Sequence, residues 1–322
     1  MFREYYKAAR DNAALVEKDW NGVIRLSGSE RDSWLQGMVT NDVMKLPAGQ
    51  GCYAGHLSPQ GKLVAQMVVL KDPDNLWLFL ERAAIPNLIA AFDKLLIMED
   101  VQVADESESV EILGLVGPQS RAVLESWLGQ SLHLEGLYAH ERIGDHRIVA
   151  TELGYDVWVG RELADKALHA IAGSGATAID HGTWDVLRTE AGLAMYGVDI
   201  DESTTMPELG ERGISYDKGC YIGQEVVAKV KYIGHVNRRF VGLVMESPDI
   251  PPAKSPIRKD EKEIGYVTTS LLSPGLEKPI ALGFVNRSAN APGTGVVISS
   301  EGKQIPATIV ELPFRIPAHS AG

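Results

Sequence analysis

The pattern of apolar residues changes at about residue 236, and this change constrains the fold more than any other feature. From there onward, short β-type runs alternate with segments rich in proline, glycine and serine, such as SPDIPPAKSP. Regularly spaced short strands separated by turn residues, without a helical period, are typical of a small antiparallel barrel or sandwich. We therefore expect a C-terminal β-barrel over residues 237–315, followed by a tail at 316–322.

The preceding part of the chain has a different pattern. Up to about residue 190, β-rich runs alternate with segments of helical period, which indicates an α+β or α/β arrangement. A helix is predicted over 29–37 with Ser29 as its cap, and a β-hairpin over 62–71 and 76–80. Because 322 residues exceed the size of one hydrophobic core, two or three domains are expected.

Charge and cysteine content exclude several classes of function. The formal net charge is −12, whereas nucleic-acid binding needs a surplus of Lys and Arg on the contacting face. The two cysteines, Cys52 and Cys220, lie far apart and lack metal-ligand spacing, which argues against a disulfide framework or a zinc site. No apolar run approaches the roughly 18 to 20 residues of a membrane span. We expect a cytoplasmic protein without a membrane partner, or an organellar one if a transit peptide precedes this sequence.

Common catalytic signatures are missing, and the informative region is residues 184–239. The sequence has no GxGxxG, Walker, GxSxG or HExxH motif. A helix is predicted to end near residue 191, which places the Glu190 carboxylate beside apolar neighbours at the negative end of the helix dipole. From position alone, Glu190 is either an exposed or Arg188-paired glutamate or a residue held there for a ligand.

The segment KGCYIGQE (218–225) places Cys220 near two glycines. A free cysteine is most often a small buried hydrophobe. The alternative is a reactive thiol, because glycines allow close backbone approach and Lys218 favours a thiolate. Lys218 and Cys220 share a face only if this segment is extended, and both readings stay open on the residues alone.

A basic segment follows this motif. No acidic residue occurs from 226 to 245, while Lys229, Lys231, Arg238 and Arg239 do. The simplest interpretation is a solvated strand with Lys229 and Lys231 on one face. The functional interpretation is an anion site, either for a small ligand with several carboxylates or for nucleic-acid phosphate, and four charges suit the small ligand better.

Three motifs carry a resemblance to a known family. LRTEAGLAMYGVDIDESTT (187–205) and the opening segment with TNDV and LSPQGK resemble the glycine-cleavage T-protein (aminomethyltransferase) superfamily. Together with KGCYIGQE, the match is similar to the YgfZ-type folate-binding branch and covers nearly the whole chain. The resemblance implies two intertwined ferredoxin-like α+β domains within residues 1–236, with the second (roughly 50–110) inserted in the first. A C-terminal antiparallel β-barrel completes the implied ring.

The resemblance also implies site residues. The family glutamate that matches Glu190 holds the pterin ring of tetrahydrofolate, or of a methylene or formyl derivative, by paired hydrogen bonds. In the family the cysteine that matches Cys220 is functional, here with Lys218 beside it. The interpretation places folate against Glu190, Arg188, Tyr196, Met206, Gln224, Glu225 and Arg238. It assigns the basic segment to the glutamate tail of folate rather than to tRNA phosphate.

One departure from the family concerns an acid. Aminomethyltransferases carry an aspartate needed for methylene transfer at the place where this chain has Ala65 and Gln66. An amide cannot act as a carboxylate. We therefore expect an accessory protein for iron–sulfur cluster assembly or repair and tRNA modification, with Fe–S proteins or assembly factors as partners and weak or indirect tRNA contact. The alternative is a tetrahydrofolate-dependent one-carbon transferase that uses another acid, with Asp42 and Asp199 as candidates by elimination.

Overall fold

A computed structural model of the chain describes residues 2–232 and 234–316. The chain forms two compact units. The first unit comprises Met1–His181, Glu202–Met206 and Glu211–Ala228, and the second comprises Gly182–Asp201, Pro207–Gly210 and Lys229–Gly322. In the described residues, no helix is both long and apolar enough to cross a membrane.

The first unit contains two β-sheets. One is antiparallel with the strand order β3-β4-β5-β2-β6. Its strands are β2 (Asn21–Ser27), β3 (Gln50–Leu57), β4 (Leu63–Lys71), β5 (Leu76–Glu81) and β6 (Gln102–Asp105). The other has the order β11-β1-β7-β10-β9-β8 and is antiparallel except between β1 and β11. Its strands are β1 (Ala14–Glu17), β7 (Val110–Val116), β8 (His140–Ile143), β9 (His146–Ala150), β10 (Gly154–Gly160) and β11 (Thr177–Ala178).

Helices and apolar strand faces build the core of this unit. Its helices are α1 (Phe2–Asp11), α2 (Arg31–Met38), α3 (Ile85–Leu95), α4 (Ser120–Leu128) and α5 (Ala164–Gly173). Val23 and Leu70 of the five-stranded sheet pack against Ile112 and Trp158 of the six-stranded sheet. Alternate residues of β5 are buried, as expected for a strand in a half-covered sheet. The two sheets therefore share one core, and the predicted hairpin of β4 and β5 is confirmed.

The second unit contains a closed barrel with the order β12-β15-β14-β13-β16-β17. Buried aliphatic side chains such as Leu243, Ile257 and Ile298 fill its interior. The expected antiparallel barrel is confirmed, while the boundaries expected within residues 1–236 stay predictions. The strands are β12 (Arg238–Met245), β13 (Pro256–Lys259), β14 (Lys262–Ser273), β15 (Lys278–Asn286), β16 (Gly295–Ser300) and β17 (Lys303–Val310).

Two local predictions were wrong. Helix α2 has Glu30 at its N-cap position, without a capping side chain, because the Ser29 hydroxyl donates to Asp100 Oδ2 instead, at 2.7 Å. Lys229 and Lys231 lie on helix α7 (Gln224–Tyr232), not on a strand. Helix α6 (His181–Glu190) is found where it was predicted.

A buried histidine in the first unit predicts acid sensitivity. His140 lies on β8 with Asp72 nearby, and Arg147 Nη1 lies 2.9 Å from its Nδ1. Burial, and then the Arg147 charge, lower the pKa of His140 to about 4. The unfolded chain binds a proton at this histidine below about pH 6.5, whereas the folded protein does so only near pH 4. This contribution to stability is therefore complete above about pH 6.5 and is lost as the pH falls towards 4.

We expect the free energy of unfolding to fall by about 2 to 3 kcal/mol between pH 7 and pH 4.5 through this group. His140→Gln keeps an acceptor for Arg147 but does not titrate, so its unfolding free energy should depend on pH less steeply. Urea titrations at both pH values measure the difference. If the free energy of unfolding falls by the same amount between pH 7 and pH 4.5 in both proteins, His140 does not set the acid sensitivity.

Candidate functional site

Helix α6 carries the first group of candidate residues and ends at a glycine. The Gly192 amide donates to the carbonyl of Thr189, and the Leu193 amide donates to that of Arg188. Gly192 has a φ of +69°, and a Cβ there would lie 2.8 Å from Leu312 Cβ. Only glycine accepts this left-handed turn together with such a close neighbour. The glycine thus ends the helix and fixes the position of Glu190.

Glu190 is buried, with 3% of its surface exposed. Its Oε1 accepts a hydrogen bond from the Ser273 hydroxyl at 2.5 Å, and its carbonyl accepts one from the Phe314 amide at 2.9 Å. The positional expectation of an exposed glutamate is therefore wrong. A buried carboxylate at the C-terminal end of a helix is unfavourable, so it needs donors to hold it.

Arg188 forms a buried ion-pair network one turn before the helix end. Its Nη1 donates to Asp199 Oδ2 at 2.7 Å and its Nε to Asp185 Oδ1 at 2.6 Å. Asp199 Oδ1 also accepts from the hydroxyls of Thr268 and Thr269, at 2.6 and 2.7 Å. Burial acts against the charge, but the two carboxylates outweigh it, so the pKa of Arg188 is raised. These contacts give Arg188 and Asp199 a role in the fold, while folate binding by Arg188 stays a prediction.

The basic residues of the second unit lie on two elements, with Lys229 on α7 and Arg238 on β12. Arg238 Nε donates to Glu208 Oε1 at 2.8 Å, its Nη1 donates to the Tyr266 hydroxyl at 2.9 Å, and its guanidinium lies 4.4 Å from the ring centre of Phe284. Lys229 is exposed on α7. Arg238 is thus engaged by an acid and two aromatic rings, and an anion-binding role for it stays a prediction.

The place of the family aspartate lies in the first unit on β4. Ala65 is fully buried, and Gln66 points to the opposite face of the strand. The Tyr53 hydroxyl donates to Gln66 Oε1 at 2.6 Å, and Gln66 Nε2 donates to Glu81 Oε1 at 2.9 Å. Burial, and then the charge of Glu81, raise the pKa of Tyr53, so this phenol stays protonated. The structure therefore places a carboxylate one strand away from the family position.

Sequence reasoning missed Glu81, although the hairpin carried the signal. In the observed register Val68 pairs with Phe79. Counting two residues outward along both strands places Gln66 opposite Glu81 and on the same face. Asp42, which the sequence analysis named as a candidate acid, also lies in this unit. Its carboxylate pairs with Lys45 at 2.9 Å and accepts a hydrogen bond from Gln36. The hydrogen bond from Lys45 contributes most to lowering the pKa of Asp42.

Lys218 holds the KGCYIGQE segment to the last turn of α2 and to the loop that follows it. Its Nζ donates to the carbonyls of Gln36, Val39 and Asn41, at 2.5, 2.6 and 2.9 Å. Burial lowers the pKa of Lys218 to about 8. The ammonium is thus committed to backbone oxygens, and activation of the Cys220 thiol by Lys218 stays a prediction.

The two thiols differ in environment. Cys220 is a free, exposed cysteine in the loop before α7. Burial raises the pKa of the other free cysteine, Cys52, to about 12, which makes it a poor nucleophile. Cys220 is therefore the accessible thiol of the two, and the reading of it as a buried hydrophobe is wrong.

The remaining predicted residues divide between the units. In the second unit, Tyr196 is buried. In the first unit, Met206 is buried against Gly55, the Tyr221 amide donates to Gln224 Oε1 at 3.2 Å, and Glu225 is exposed in the first turn of α7. Within residues 2–232 and 234–316, no group of three or more His, Cys, Asp or Glu is placed to hold a metal ion.

Comparisons with known proteins agree with this architecture. A family model described as the GCVT N-terminal domain matches residues 1–214, and one described as the glycine cleavage T-protein C-terminal barrel domain matches residues 238–315. The crystal structure of the glycine cleavage system aminomethyltransferase T from Bartonella henselae has a TM-score of 0.90 at 22% identity, covering 98% of this chain and 89% of its own. The T-protein fold expected from the sequence is confirmed.

Curated relatives point to one activity. An aminomethyltransferase from Nostoc sp. (strain PCC 7120) is 29% identical over 325 residues, which cover 96% of this chain and 86% of the relative. One from Listeria monocytogenes serotype 4b is 29% identical over 322 residues, covering 96% and 88%. These names overturn the expectation of an accessory protein for iron–sulfur assembly and tRNA modification. They favour the alternative, a one-carbon transferase.

Proposed function

Because the chain belongs to the glycine cleavage T-protein family, we propose that it is a tetrahydrofolate-dependent aminomethyltransferase or a related one-carbon transferase. The observation that carries the proposal is the buried carboxylate of Glu190 at the end of α6. The proposal includes a cytoplasmic location, supported by the two free cysteines. It also includes membership of the YgfZ-type branch, supported by the KGCYIGQE segment.

The carboxylate of Glu190 has the hydrogen-bonding chemistry that a pterin needs. A pterin presents a ring N–H and an exocyclic amine side by side, and a carboxylate accepts from both at once. Each such charge-assisted bond contributes about 1.5 to 3 kcal/mol, which offsets the cost of burying the carboxylate. Bound tetrahydrofolate would supply the nitrogen that accepts the one-carbon group. The role of this chain is to hold that molecule and to stabilise charge.

Glu81 is the acid that we propose for the transfer. Positive charge develops on a one-carbon group as it is transferred, and a fixed negative charge lowers the barrier. The hydrogen bond from Gln66 Nε2 fixes the Glu81 carboxylate, and the Tyr53 hydroxyl fixes the Gln66 amide in turn. Asp199, the candidate in the second unit, is instead engaged by Arg188 and two threonine hydroxyls.

Replacing Glu81 with glutamine should lower kcat about 30-fold, equivalent to about 2 kcal/mol of lost charge stabilisation. Glutamine preserves the side-chain volume and removes the charge. Glu106→Gln is the matched control, because Glu106 is a half-buried carboxylate of the same unit that binds Arg25; its kcat should change less than about twofold. Steady-state assays measure both variants.

A charge-swap variant makes the test sharper. Gln66→Glu combined with Glu81→Gln returns one carboxylate to the pair on the other strand, and it should recover much of the lost kcat. Equal kcat values for wild type and Glu81→Gln would remove Glu81 from the mechanism without affecting the folate assignment.

Dependence on folate tests the proposed function itself. An aminomethylated carrier is incubated with the protein, with and without tetrahydrofolate, and released ammonia is measured. We expect rapid release only when tetrahydrofolate is present. Release at the same rate without it would exclude a folate-dependent transfer.

A further inference from the structure

Ser273 is the last residue of β14, and its side chain is fully buried. Its hydroxyl donates to Glu190 Oε1 at 2.5 Å, and the Ser273 hydroxyl oxygen accepts a hydrogen bond from the Leu276 amide at 3.1 Å. A serine hydroxyl has a single proton to donate, and here it donates that proton in the hydrogen bond to Glu190. The amide of the following turn thus fixes the direction in which the hydroxyl donates.

The contact joins two distant parts of the second unit. Glu190 and Ser273 are 83 residues apart in sequence, one at the end of α6 and one at the end of a barrel strand. The main chain of Glu190 is held separately, by the Phe314 amide. The Ser273 hydroxyl therefore acts on the carboxylate, while another contact holds the backbone.

We propose that Ser273 is a positioning residue for folate: its hydroxyl fixes the Glu190 carboxylate in the orientation that accepts the pterin. A glutamate side chain has three rotatable bonds, and ordering them on binding costs affinity. A carboxylate held in place before the ligand arrives avoids that cost, and each of its oxygens has two acceptor sites. The inference rests on the proposed function, since it assumes that Glu190 binds folate.

The same strand contributes to the neighbouring network. Thr268 and Thr269 of β14 donate to Asp199, which binds Arg188 on α6. One barrel strand thus contacts the polar network of α6 at two places. The barrel contributes to the candidate site through these hydroxyl groups.

Tetrahydrofolate affinity tests the proposal, measured by calorimetry on the full chain. Ser273→Ala should raise Kd about tenfold, the effect of one hydrogen bond to a charged group. Ser270→Ala is the matched control, because Ser270 lies on the same strand and donates to the carbonyl of Pro251 rather than to a carboxylate. Its Kd should stay within about twofold of wild type. Equal losses of affinity in both variants would overturn the proposal.

A double-mutant cycle separates positioning from a structural role. If Ser273 acts through Glu190, then Ser273→Ala should weaken binding in wild type but add little in the Glu190→Gln background. Additive effects would mean that Ser273 acts independently of Glu190, and would contradict the proposal. If Ser273→Ala does not fold, Ser273→Cys keeps a weaker donor of similar size and should give an intermediate Kd. An unchanged Kd for that variant would also count against Ser273.

The outcomes also distinguish this inference from the proposed function. If wild type does not bind tetrahydrofolate, the proposed function and this inference both fail. If wild type binds it and Glu190→Gln weakens binding, while Ser273→Ala binds as wild type does, only the role of Ser273 is wrong.

Discussion

Replacing Glu190 with glutamine is expected to weaken tetrahydrofolate binding about 100-fold, because both pterin donors lose a charged acceptor. Glutamine has nearly the same volume, so the end of α6 should keep its packing. However, the amide offers one acceptor and one donor where the carboxylate offered two acceptors. The new N–H group would face a donor of the pterin, which adds to the loss.

Calorimetric titration of the two proteins measures this effect. Glu263→Gln is the control, because Glu263 is an exposed carboxylate on the barrel strand that carries Ser273. This variant also loses one negative charge. Its Kd should change less than about twofold, as expected for a solvated charge. If Glu190→Gln binds tetrahydrofolate as tightly as wild type, the pterin assignment is wrong.

Arg188→Met is expected to cause the largest loss of stability, about 3 to 5 kcal/mol in the free energy of unfolding. Methionine fills most of the space but leaves the Asp199 carboxylate, whose side chain is fully buried, without its cation. The hydroxyls of Thr268 and Thr269 remain, yet neutral donors compensate a buried charge only in part.

Urea unfolding measures this change, and a second substitution tests its cause. Adding Asp199→Asn to Arg188→Met removes the uncompensated charge and should recover a large part of the lost stability. If the double variant is less stable than Arg188→Met, the loss comes from packing around the arginine side chain rather than from the buried carboxylate.

Local patterns were sufficient for the hairpin of β4 and β5 but not for α7. The hairpin of β4 and β5 follows from two β-rich runs and a turn, all close in sequence. The segment of α7 was predicted as a strand because it contains the β-branched Val226, Val227 and Val230, and valine favours strands. In the structure, Val226 packs against the turn at Gly61, which has a φ of +72° and where a Cβ would lie 2.5 Å from Val226 Cβ. A contact between residues so far apart is not visible in either segment alone.

In the candidate site, too, some residues could be predicted from local sequence and others could not. Glu190 was identifiable because its helix and the LRTEAGLAMYG motif are both local. Identifying Glu81 required the register between two strands, and identifying Ser273 required a contact between residues 83 positions apart. Neither residue could therefore be found from spacing in the sequence. The Ser29 cap failed for a similar reason, since Asp100 offers its hydroxyl a charged acceptor 71 residues away. Motifs predict which residues bind, whereas tertiary contacts decide what holds them in place.

Counting product molecules shows whether this chain is a one-carbon transferase. The protein is mixed with excess tetrahydrofolate and an aminomethylated carrier, and methylene-tetrahydrofolate is measured against the number of protein chains. We expect wild type to form many product molecules per chain. Tight tetrahydrofolate binding with no product, under conditions in which a curated aminomethyltransferase is active, would contradict it.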